Sequence, residues 1–158
     1  MARPKRLDGY SYVGAARYFL TFCVRNRRRV FVAPLVVESL LWHVRQSAAR
    51  CEFSILAYCV MPDHVHLLVE GLGPAADLRK FVSRAKQHSG AAFALSQGGP
   101  LWQEGYHERV LRSSDDAIRI AKYVIENPVR AGLARCPQEY PYLGSEFCTV
   151  EELIASCC

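Results

Sequence analysis

The stretch Phe53-Ser54-Ile55-Leu56-Ala57-Tyr58-Cys59-Val60-Met61-Pro62-Asp63-His64-Val65-His66-Leu67-Leu68-Val69-Glu70 decides the fold. Residues 53–60 are rich in β-branched, aromatic and other apolar types, and Met61-Pro62-Asp63 has the chemistry of a tight turn. Residues 64–70 then read as a second strand. Side chains alternate along a strand, so Val65, Leu67 and Val69 form an apolar face. His64, His66, Leu68 and Glu70 take the other face, and Gly71, Gly73 and Pro74 end the run.

Upstream, residues 17–24 form a strand, and Pro34 opens a helix to about Arg50 with Leu35, Val36, Ser39, Leu40, His43, Val44 and Ser47 at helical spacing. Downstream, a helix from about Ala75 to Ala94 buries Leu78, Phe81, Val82 and Ala85. The loop 96–100 leads to a strand over 106–112, and Ser114 caps a helix beginning at Asp115. Strand, helix, strand, strand, helix, strand and a further helix predict an α+β fold. It is the ferredoxin-like (split βαβ) antiparallel sheet, with an added C-terminal helix carrying Tyr123. Residues 1–158 read as one domain, with 1–16 a basic N-terminal arm and 134–158 a C-terminal tail.

Composition fits a single globular domain: 158 residues, 51% hydrophobic and 22% charged. The start Met1-Ala2-Arg3-Pro4-Lys5-Arg6 has no apolar run behind it, and no segment approaches the ~18 apolar residues of a membrane span. A soluble, intracellular protein is expected. The seven cysteines show no C-x-x-C spacing and read as reduced thiols, with Cys23 and Cys59 as small core residues and Cys157 and Cys158 on the tail. Net charge is +5, with Arg3, Lys5, Arg6, Arg17, Arg25, Arg27, Arg28 and Arg29 crowded into the first thirty residues. Arg79, Lys80, Arg84 and Lys86 form a second basic run. Both suit a polyanionic partner, and both equally suit a solvated basic face.

Two groups could carry chemistry. His64 and His66 share one face of a strand and could chelate a divalent ion, or be two surface histidines, with Asp63 a nearby oxygen donor or a turn residue. Tyr123 and Asn127 stand at i and i+4 on one helix face, near its end because Pro128 follows. Alone they read as packing. Together with a metal they make a mechanism: an ion on His64, His66 and the Asn127 amide oxygen polarises a phosphodiester, and Tyr123 attacks phosphorus. A 5′-phosphotyrosine and a free 3′-hydroxyl result. Imidazole ligands suit manganese better than magnesium.

The phrase from Tyr58 to Leu68 resembles the HUH motif of the tyrosine transposases of small single-strand insertion elements. Tyr123-Val124-Ile125-Glu126-Asn127-Pro128-Val129-Arg130-Ala131-Gly132-Leu133 resembles the catalytic helix of their REP-associated branch, as do Leu101-Trp102-Gln103, Gly105-Tyr106-His107 and the stretch Thr21 to Arg27. The resemblance covers about residues 17–133. It implies His64, His66 and Asn127 as ligands of Mg2+ or Mn2+, and Tyr123 as nucleophile. It also implies a bacterial, nucleoid-associated enzyme that cleaves single-stranded DNA beside palindromic hairpins, as a monomer or a homodimer. Arg25, Arg27, Arg28, Arg29, Arg79, Lys80, Arg84 and Lys86 then become candidate phosphate contacts, and Trp102 and Tyr106 candidate stacking platforms or ordinary core residues. His107 is a further polar group near the site or a structural one, and His43 and His88 read as structural. Two other readings fit the charge: a hairpin-binding module without chemistry, and a metal-dependent nuclease that uses water.

Overall fold

The computed structural model describes residues 9–157, with Asp115 described by its backbone alone. The predicted order is present: β1 (Arg17–Cys23), α1 (Pro34–Arg50), β2 (Phe53–Met61), β3 (His64–Gly71), α2 (Leu78–Gln97), β4 (His107–Leu111) and α3 (Ser114–Arg130). A short β5 (Leu143–Gly144) and α4 (Val150–Ala155) follow. The strands form one antiparallel sheet in the order β4-β1-β3-β2-β5. No helix of the described residues is long and apolar enough to cross a membrane.

The sheet divides two cores. Leu20 and Phe22 of β1 and Val65, Leu67 and Val69 of β3 pack beneath α1 and α2 with Leu40, Val44, Phe81 and Val82. On the other side Ala57, Cys59 and Leu68 pack against Ala121, Val124 and Ile125 of α3. This is the period-two pattern of β3 realised, and it puts His66 and Leu68 on the α3 side.

Local signals place several boundaries differently from the sequence reading. The Asp77 side chain accepts from the backbone N–H of Arg79 and Lys80, so α2 starts at Leu78 and not near Ala75. Ser113, not Ser114, caps α3 through the N–H of Asp116. Pro128 does not end α3, which runs on to Arg130 before Gly132 at φ 68 closes it.

Residues 134–157 do not form a loose tail. Leu143 and Leu153 are buried, Tyr140 Oη donates to the Val60 carbonyl at 2.7 Å, and Thr149 with Glu152 makes a capping box on α4. Cys157 is buried; Cys158 lies outside the described residues. Of the basic N-terminal arm, residues 1–8 with Arg3, Lys5 and Arg6 lie outside the described residues. The remainder docks: Tyr12 is buried and Val13 bridges to Asp77.

Candidate active site

The β2–β3 turn projects Asp63 at the mouth of β3, and strand alternation sets His64 and His66 side by side. Their Nε2 atoms face each other at 3.1 Å. Each ring is held from behind: Asp63 Oδ1 lies 2.6 Å from His64 Nδ1, and Thr21 Oγ1 lies 2.9 Å from His66 Nδ1. The Asp63 carboxylate accepts from His64 Nδ1–H, and the Thr21 hydroxyl can accept from His66 Nδ1–H when an ion draws both Nε2 lone pairs to the shared point. Burial, then the neighbouring His64 and Arg27 charges, pushes His66 down to about 3; it is 5% exposed. Burial also lowers His64, against the opposing pull of Asp63. Burial raises the Asp63 carboxyl, but the His64 hydrogen bond and the His64 and Arg27 charges hold it below the usual carboxylate range.

The pair fits a divalent ion. Two nitrogens ~2.1 Å from one ion lie about 3.0 Å apart at a right angle and about 3.4 Å apart at a tetrahedral angle, which brackets the observed separation. Among the described residues no group of three or more His, Cys, Asp or Glu could hold a metal ion. Cys59 lies across from His66 on β2, but burial pushes its thiol up to about 12.

Helix α3 lays Tyr123 against this pair within the same chain. The phenol ring centroid is 5.7 Å from His66 and 5.8 Å from Phe19, both edge-on, and the residue is 37% exposed. The Arg130 guanidinium lies over the same ring at 5.6 Å. Asn127 is half-buried one turn on, and its Nδ2 donates to the Tyr123 carbonyl at 2.8 Å. That leaves the amide oxygen as the side-chain atom with an acceptor lone pair to offer.

The expected DNA-contacting residues separate into groups. Arg25, Arg27, Arg28 and Arg29 follow β1 beside the histidines, all exposed. Arg27 pairs with Asp63 at 2.8 Å and donates to Cys23 Sγ, although its φ of 53 is one that L residues rarely adopt. Cys23 is half-buried and so not a core residue. Arg79, Lys80 and Arg84 lie on the opposite side of the sheet. They line a cavity of about 530 Å3 with Arg50, Cys51 and Ser83. Lys86 differs: half-buried, it donates to the Gln103 and Gly105 carbonyls, and burial lowers it to about 8. Trp102 packs on Phe22 and Phe31 and donates to Ser89 Oγ, and Tyr106 packs edge-on against Phe22. Both aromatics are engaged in packing. His43 and His88 stack on each other across α1 and α2 with centroids 6.3 Å apart.

Sequence reasoning missed Thr21, which only the β1–β3 register brings opposite His66. It also missed Arg109, Arg119, Lys122 and Arg130, four exposed cations on α3 and the neighbouring β4. Arg119 at i−4 and Arg130 at i+7 from Tyr123 share its helix face, a signal present in the sequence.

Known proteins resemble this chain over most of its length. The family model "Transposase IS200 like" matches residues 12–127. The ISDra2 transposase TnpA of Deinococcus radiodurans is 31% identical over 124 residues, covering 73% of this chain and 86% of that protein. The REP-associated tyrosine transposase of Escherichia coli is 25% identical over 135 residues, covering 83% and 77%. A solved REP-associated tyrosine transposase bound to a REP hairpin superposes with a TM-score of 0.76 at 22% identity, covering 90% of this chain and 82% of that one, and so shares the fold. With the matched region spanning both the histidine pair and the tyrosine helix, the chain belongs to the IS200-like transposase family.

Proposed function

We propose that this chain cuts and rejoins single-stranded DNA beside hairpin-forming repeats, with Tyr123 as nucleophile and His64, His66 and Asn127 holding Mg2+ or Mn2+. The observation that carries the reading is the packing of Tyr123 on His66, whose Nε2 converges with that of His64. Two imidazoles and one amide oxygen favour manganese over magnesium, which prefers oxygen donors. A bound divalent ion supplies Lewis acidity to the scissile phosphate. Tyr123 Oη attacks phosphorus, the P–O3′ bond breaks, the phenol proton leaves to water, and the departing 3′-oxygen takes up a proton. Attack by a 3′-hydroxyl on the phosphotyrosine reverses the step and joins strands. Arg130, over the Tyr123 ring, and Arg119 on the same helix face would offset the charge of a phosphate brought to the phenol. The packing of Tyr123 on His66 of its own chain supports a site built from one copy, whether the protein acts as a monomer or a homodimer. A hairpin substrate is supported by the relatives named for REP repeats.

The test is incubation with end-labelled hairpin DNA and Mn2+, read on a denaturing gel. The expected result is a labelled band migrating with the protein and lost in Tyr123→Phe or EDTA. Cleaved DNA without that band would assign the attack to water, and bound but uncut DNA would make the protein a binding module.

A further inference from the structure

Beside Tyr123, on the side away from the histidines, a cleft of about 350 Å3 opens between α3 and β4. Its lining is Phe19, His107, Glu108, Arg109, Ile120 and Tyr123. The register explains the division of its walls. His107 pairs with Thr21 and Arg109 with Phe19, so both point to the α3 face, whereas Glu108 pairs with Leu20 and turns to the other. The floor is therefore a ring and an aliphatic side chain, and the rim is an exposed imidazole and an exposed guanidinium. Arg109 has only a loose ion pair, 3.9 Å to Asp116, which Arg119 also occupies. One guanidinium at the rim is thus left largely for an outside anion.

The geometry points to a subsite for one unpaired base of the DNA strand, next to the phosphate that joins Tyr123, with Arg109 on the adjoining phosphate. The inference rests on the nuclease reading above and adds where the neighbouring nucleotide goes. Three observations select this occupant. The slot shares its Tyr123 wall with the reacting phenol, so a nucleotide attached to that oxygen is within reach. Its volume is at the lower end for ligand sites, enough for a base and too small for a duplex. An apolar floor with a cationic rim is also the pairing single-stranded DNA presents: a π-face beside a phosphate.

The test uses Tyr123→Phe protein, which cannot form the adduct, and a fluorescein-labelled hairpin with oligothymidine flanks. Each flank position in turn is made abasic, and binding is read by anisotropy. At one position loss of the base weakens binding about tenfold. Ile120→Trp, which fills the cleft, brings that penalty below about twofold. Arg109→Ala, a change at an exposed side chain, lowers the slope of log affinity against log salt by about one. Equal binding of all abasic DNAs, a penalty that persists in Ile120→Trp, or an unchanged salt slope in Arg109→Ala would each overturn the assignment. Because no cleavage is read, failure of the tyrosine mechanism and failure of the subsite give different results.

Discussion

Replacing Thr21 with Val tests whether the hydroxyl behind His66 sets the ligand tautomer. Thr21 Oγ1 lies 2.9 Å from Nδ1, and in the tautomer that ligates an ion it accepts from Nδ1–H while the Nε2 lone pair faces His64. Valine has the same shape and no acceptor. His66 then does better with its proton on Nε2, 3.1 Å from His64 Nε2, and the unmetallated fold loses little. Binding an ion reverses this choice and leaves Nδ1–H unpaired at a residue that is 5% exposed. An unsatisfied buried donor costs ~1–3 kcal/mol. At ~1.4 kcal/mol per factor of ten, that is roughly 5- to 150-fold, in line with the ~10–100-fold typical of outer-shell partners. The predicted result is Mn2+ affinity weakened 10- to 100-fold (roughly, on that scale), measured by calorimetry and by EPR of free Mn2+, with Thr21→Ser restoring most of it. Native Mn2+ affinity in a Thr21→Val protein of unchanged melting temperature would refute the argument.

Other consequences are smaller. Lys86→Met removes two charge-assisted hydrogen bonds to the Gln103 and Gly105 carbonyls and should cost about 1–2 kcal/mol, or roughly 2–8 °C in Tm. The salt slope of DNA binding should stay as it is, and a reduced slope would return Lys86 to the phosphate-contacting set. Gly71→Ala drives a Cβ to 2.5 Å from the Gly14 carbonyl oxygen, a backbone atom that cannot step aside, and about 1–3 kcal/mol of stability should be lost in urea unfolding. Burial and then the His88 charge lower His43, so the unfolded chain binds more protons than the folded one below pH 6.5. Stability from this pair is therefore present above that pH and lost as pH falls. Tm between pH 7 and pH 5 should vary less in His43→Gln than in the native protein; equal slopes would remove His43 as a source.

The sequence carries the fold because its periods are unambiguous where burial is one-sided. Alternation along β3 puts His66 with Leu68 and opposite Val65 and Leu67, and Pro34 marks the start of α1. Boundaries slip where two residues compete for one role, as Ser113 and Ser114 do at the α3 cap. In the site, the pairing of His64 with His66 is a local fact and readable. The meeting of Tyr123 with His66 depends on α3 packing across the sheet, and no spacing in the chain encodes it. The shared chemistry of the two motifs, and the family resemblance, called for such a meeting without saying whether it falls within one chain. Thr21 and Arg109 were invisible for the same reason, since both are placed by register between strands far apart in sequence. Lys86 misled because its type suggests solvent, while the carbonyls that hold it come from a loop whose path composition does not reveal. Two-residue β5 is too short for any pattern to register.

The C-terminal segment has a consequence for how copies of the chain meet. Strand β2 is Phe53–Met61, nine residues without a charge or a proline. Its outer rim is closed by Leu143–Gly144, by the Val60 N–H donating to the Tyr142 carbonyl at 2.8 Å, and by Glu146 exchanging bonds with Ile55. Without that cover, the rim would offer unpaired N–H and C=O groups on an apolar ribbon, the template on which strands of separate molecules stack into aggregates. A two-residue strand with a few side-chain clasps is enough to deny it. The last part of the chain acts as a selvedge, keeping the sheet from growing onto its neighbours.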